Sequence, residues 1–190
     1  MSSQSEPLVQ EIVQQYQSKD YKGIIAKLNQ VICCNDRYEL SLLHLLTWPV
    51  PGEKDLESLS NYIYSHGVTH IYSIGCGTGL LEWLLSQVLL KQYKESDNVD
   101  LKRVDVTGVE VDFRWWKSPY APPTFLDDFL FVGKDFAPQN PFGDFNDMAL
   151  FCYFNNLNVF LDYLNAFLGS FVVLIGPISE VRWIRKCLKL

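Results

Sequence analysis

The chain has 190 residues, of which 48% are hydrophobic and 14% aromatic, enough for one domain with a substantial core. A net charge of −6 gives no basic footprint for a phosphate backbone, so nucleic acid is disfavoured as a partner and a small or neutral one is favoured. The two most apolar stretches, 80–90 and 167–178, are broken by Glu82, Ser86, Gly169, Ser170 and Gly176, so no membrane span is expected.

After a polar start, residues 7–47 read as helical. Leu8, Ile12, Val13 and Tyr16 share one face, and Ile24, Ile25, Leu28, Val31 and Ile32 another, which predicts a small helical cap. Cys33 and Cys34 end the second helix, with His44 further on. With no second Cys-x-x-Cys or His pair in the chain, they read as small buried apolar residues, and no metal is expected. An odd total of five cysteines, together with the absence of a charged-then-apolar leader, points to the cytosol or nucleus. The prolines of Trp48-Pro49-Val50-Pro51-Gly52 force extended backbone and mark the hinge between a cap, residues 1–66, and a core, residues 67–190. On the cap side of the boundary, residues 55–64 predict another helix with Leu56, Leu59, Tyr62 and Ile63 inward, closed by Gly67 in a left-handed cap.

The core is organised around residues 71–85, IYSIGCGTGLLEWLL. A β-branched run meets glycines at alternate positions, Gly75, Gly77 and Gly79, and an apolar helical pattern begins at Leu80, so the order is strand, tight loop, helix. Glycines suit a chain that must reverse sharply and let a ligand approach its backbone. A dinucleotide fingerprint, G-x-G-x-x-G, would place its third glycine at position 80, where this chain has Leu80. His70 opens this strand, at the end opposite a ligand crevice, so His66 and His70 read as structural.

Helix 80–91 and a polar loop, 92–102, lead to a second strand over 104–111. Glu110 ends that strand, where a carboxylate can accept hydrogen bonds from both hydroxyls of a ribose. Pro119, Pro122 and Pro123 forbid a long crossover helix in 113–128 and predict an irregular aromatic loop, whose Trp115, Trp116 and Tyr120 either line a pocket or cover the sheet. Residues 129–132 predict a third, fully buried strand, and 141–154 contain a fourth. Helix 156–168 follows with Leu157, Phe160, Leu161 and Leu164 as its apolar stripe. A fifth buried strand, 171–175, and a last helix, 180–190, capped by Ser179, complete the pattern.

GCGTG at the end of the first strand resembles motif I of the class I S-adenosylmethionine-dependent methyltransferases, and the likeness extends in motif order over residues 71–177. It implies a three-layer α/β Rossmann-like domain with a mainly parallel sheet of order 3-2-1-4-5, preceded by the helical cap. It implies S-adenosylmethionine as cofactor and a small-molecule or protein methyl acceptor. By position, the resemblance assigns cofactor binding to Ser73, Gly75, Cys76, Gly77, Gly79, to Glu110 in GVEVD, and to Asp135 after the third strand. Family members usually carry an acid where this chain has Ser73, and their sheets continue with two further strands, so the core is expected to lack those strands. No catalytic residue is assigned: Tyr153-Phe154-Asn155-Asn156 stands where amino-methylating members have Asn-Pro-Pro-Tyr. A member of this family that holds its methyl donor and acceptor in line needs no acid or base; the alternative is an inactive, methyltransferase-like binding or scaffold protein.

Overall fold

The computed structural model describes residues 6–132 and 140–176. The cap opens with three helices, α1 (Pro7–Gln17), α2 (Tyr21–Cys34) and α3 (Arg37–Leu46). Two of their starts are fixed by short acidic side chains that satisfy orphan amides: Asp20 accepts from Gly23 N–H, and Asp36 from the N–H groups of Tyr38 and Glu39. Helix α4 (Glu53–Ser65) begins where Asp55 reaches back to the Gly52 N–H at 2.9 Å, and ends before Gly67 at φ +66°, the left-handed position expected from sequence.

The core follows as β1 (His70–Ile74), α5 (Leu80–Glu95), β2 (Asp105–Glu110), the single turn α6 (Phe113–Trp116), β3 (Phe129–Phe131), β4 (Asp147–Cys152), α7 (Leu157–Ala166) and β5 (Phe171–Ile175). All strand pairs are parallel and the order is β3-β2-β1-β4-β5, as the alternation of strand and helix predicts. Ile74 pairs with both Val109 and Phe151, so the three central strands end level on one edge. The order reverses between β1 and β4, and that switch point opens a crevice at the carboxyl edge.

Helices cover both faces of the sheet. Ile71, Met148 and Leu150 point to one side and join a cluster with Leu8, Ile12, Ile24, Leu28 and Leu43 of the cap and Leu80 and Leu84 of α5. Ile74, Val109, Ala149 and Phe151 point to the other, against Tyr163 of α7 and Phe167. The cap therefore shares one continuous apolar core with the sheet. Tyr16 seals the joint by edge contacts to Trp83 at 5.0 Å and Phe125 at 5.2 Å.

Several expectations are corrected in detail. Strand β3 is half-exposed, with Leu130 open to solvent, because it pairs only with β2 among the described residues and the proline-rich crossover before it supplies a single helical turn instead of a covering helix. Strand β5 is likewise half-exposed, with Leu174 outward. In α7 the inward face is Val159, Phe160, Tyr163 and Leu164, while Leu157 and Leu161 are exposed; the helix is apolar on more than one side, so periodicity alone could not choose the face. Cys33, Cys34 and Ile32 are exposed on the last turn of α2. The helix expected over 180–190 and its Ser179 cap lie outside the described residues.

Candidate functional site

The glycine loop occupies the crevice edge, and its three glycines answer to three different demands. Gly75, Gly77 and Gly79 have φ of +71°, +62° and +76°, the left-handed region that penalises any Cβ. At Gly79 a Cβ would also lie 2.7 Å from the Leu126 side chain, and at Gly75 it would crowd the Phe154 ring at 3.3 Å. At Gly77 nothing lies within 4 Å, so this glycine presents bare backbone to open space. The loop is tied down on all sides. Gly75 N–H donates to Val109 O at 2.8 Å, the Thr78 hydroxyl donates to the Leu46 carbonyl of α3, and Phe125 N–H donates to Thr78 O at 2.8 Å.

Glu110 sits at the tip of β2, and its Oε1 accepts the Gly77 N–H at 2.7 Å while Oε2 takes the Val111 N–H at 3.3 Å. A carboxylate has about four acceptor directions, so Glu110 keeps capacity for a ligand diol while holding the loop. Cys76 fills the space above Gly108 of β2, where a Cβ would come within 2.5 Å of its sulfur. Burial and the neighbouring carboxylates Glu82 and Glu110 push its thiol well above the ordinary range, which keeps it protonated although the residue as a whole is half-buried. The structure thus brings Gly75, Cys76, Gly77, Gly79 and Glu110 together; Asp135 lies outside the described residues.

Ser73 takes no place on the crevice surface. It is fully buried, and its Oγ donates to Glu82 Oε1 at 2.6 Å. Glu82, from the first turn of α5, is 1% exposed, and its Oε2 has no hydrogen-bond partner among the described residues. Desolvation raises its pKa from 4.5 to about 7, a rise that the Ser73 hydrogen bond opposes and the Glu110 charge reinforces. Sequence reasoning used Glu82 only as a break in an apolar run. The signal available was a lone acid inside Leu80–Leu85, where five of six residues are apolar and a buried charge needs a reason.

Glu82 lines a cavity of about 200 Å³ at the β1–β4 switch point. Its walls are the glycine loop from Gly75 to Thr78, the end of α3 from His44 to Pro49, Trp116 of α6 and Cys152 at the end of β4. Burial pushes the Cys152 thiol up to about 12. The mouth is aromatic: His44 stacks on the exposed Trp48 at 4.9 Å, and Trp48 stacks on Tyr153 at 6.3 Å. Tyr153 has φ +51°, a strained conformation for a side-chain-bearing residue, and its N–H is held by Ile175 O at 2.7 Å. Of the aromatic loop, Trp116 reaches this cavity, while Trp115 and Tyr120 are exposed.

A larger cavity of about 330 Å³ lies between Val109, Leu130, Phe131, Phe142 and Tyr163. Among the described residues its lining has no charged group and does not include the glycine loop, which borders the smaller cavity instead. His66 stacks on Tyr62, and His70 bonds Thr107 at 2.8 Å from the opposite end of β1; neither approaches the crevice. Among the described residues no cluster could hold a metal ion. No protein-family model, no curated protein and no solved structure matches this chain.

Proposed function

We propose that this protein is an S-adenosylmethionine-dependent methyltransferase, transferring a methyl group to a small-molecule or protein acceptor. The observation that carries the proposal is the pairing of a glycine-rich loop at the end of β1 with a carboxylate from the tip of β2, joined at 2.7 Å through the Gly77 N–H. An adenosine ribose laid along that junction meets Glu110, and bare backbone at Gly77 lets the rest of the cofactor pass close to the chain. All three loop glycines have left-handed backbone, a conformation that only glycine adopts cheaply, and a loop without side chains there suits a ligand lying close to the chain.

The cofactor, when bound, supplies an activated methyl group on sulfur. The chain's part is to hold and orient. Glu110 fixes the ribose, the glycine loop passes beneath the cofactor's tail, and Trp48 of the cap and Trp116 of α6 wall the switch-point cavity. The inactive scaffold is the second reading, and Ser73 is the observation that favours it: its side chain is engaged with Glu82 and offers nothing to the crevice. Labelled methyl donor incubated with cell extract separates the two. The enzyme labels an acceptor and its Gly77→Arg variant, which fills the open space at Gly77, does not. Equal labelling by both leaves the scaffold.

A further inference from the structure

We propose that the switch-point cavity binds an aliphatic amine of the methyl acceptor, with Glu82 as its charge partner and proton acceptor. This rests on the methyl-transfer reading above and goes beyond it by naming the acceptor's chemistry. Three observations carry it. Glu82 lines the cavity, and its Oε2 is buried with no hydrogen-bond partner among the described residues, a state that is costly unless a donor reaches it. Among the described residues, the cavity's lining contains no Lys or Arg to neutralise that acid. Trp48, stacked on His44 and Tyr153, and Trp116 line the cavity, and an aromatic wall favours a cation over an anion. The strained Tyr153, stacked on Trp48, fixes that wall from the β4 side.

An amine arrives from water as an ammonium ion. Burial raises a carboxyl and lowers an ammonium, so the cavity draws the two proton affinities together. Glu82 takes one proton and becomes a neutral acid, leaving the nitrogen lone pair free. That pair forms a bond to the methyl carbon of the sulfonium donor, the carbon–sulfur bond breaks with its electrons on sulfur, and the product leaves as a methylammonium. Charge and hydrogens balance with no other reactant. The groups facing Glu82 are Ser73 of β1, Cys76 of the loop, Glu110 of β2, Cys152 of β4 and, across the cavity, His44 of α3. Both thiols stay protonated, so neither competes for the amine as an anion.

The test is calorimetric titration of the full chain at pH 8, without cofactor, using n-butylamine and its neutral counterpart 1-butanol. The expected result is at least tenfold tighter binding of the amine. Glu82→Gln, which keeps the oxygen that accepts from Ser73, brings the amine down to the alcohol's level. Trp48→Ala, at an exposed position, weakens the amine at least threefold in a folded protein. Equal binding of amine and alcohol, binding of neither, or an unchanged amine affinity in Glu82→Gln overturns the proposal. Parallel titrations with S-adenosylhomocysteine and 5′-methylthioadenosine separate the two sources of an amine. If Glu82→Gln weakens the first tenfold and leaves the second unchanged, Glu82 serves the cofactor's own amino group and the acceptor assignment falls. If the amine binds as expected but neither nucleoside does, the methyl-transfer reading fails while the amine site stands.

Discussion

Glu82 makes the protein's stability depend on pH in a direction opposite to that of a paired carboxylate. Its folded-state pKa is raised from 4.5 to about 7, so the folded chain prefers the protonated acid. The stabilising contribution of that acid is fully present below pH 4.5 and is lost as pH rises through about 7. The rise amounts to roughly 3 kcal/mol. Glu82→Gln, an amide standing in for the protonated acid, is expected to match the wild type at pH 5 and exceed it by about 2–3 kcal/mol at pH 8, measured by urea denaturation at both values. Equal losses in both proteins between those pH values would contradict the assignment. Removing the supporting hydroxyl with Ser73→Ala is expected to cost about 1–3 kcal/mol at pH 8, where Glu82 Oε1 needs its donor most. This pair was not legible in the sequence, since Ser73 and Glu82 meet only because β1 and the first turn of α5 fold back on each other. Glu110 was legible, because a strand tip is a position that sequence can locate.

At the scale of the element, the glycine loop was readable in place and type but not in the reasons for each residue. The spacing of Gly75, Gly77 and Gly79 located the turn; only the structure separates a glycine held by packing from one facing open space. Gly79→Ala is expected to cost about 1–2 kcal/mol for the left-handed backbone and a further ~1–3 kcal/mol for the overlap with Leu126. Gly77→Ala is expected to cost only the backbone part, about 1–2 kcal/mol, and to remain folded at 25 °C. Thermal melts of both variants check the difference; equal losses would mean that Leu126 moves aside freely. The helix α7 shows the converse limit. Its existence followed from composition, but its inward face was set by Phe142 and Phe151 from outside the helix, which its own pattern does not contain.

For the whole molecule, strand order was legible because right-handed parallel crossovers leave few topologies. The way the cap joins the core was not, since it depends on long-range contacts of Leu8, Ile12 and Tyr16 with α5 and Phe125. One shared core predicts one cooperative transition: fluorescence and far-ultraviolet dichroism should report the same thermal midpoint, and separated midpoints would mean that the cap unfolds alone. That joint places Trp48 and the Leu46 carbonyl against the glycine loop, so the cap forms one wall of the crevice and the sheet the other. Titration calorimetry of the full chain with S-adenosylhomocysteine tests the proposed binding of an adenosyl cofactor by the loop and Glu110. Saturable one-to-one binding is expected, weakened by about 1–3 kcal/mol in Glu110→Ala through loss of charged hydrogen bonds. No heat from a chain shown to be folded, or equal binding by wild type and Glu110→Ala, would contradict it.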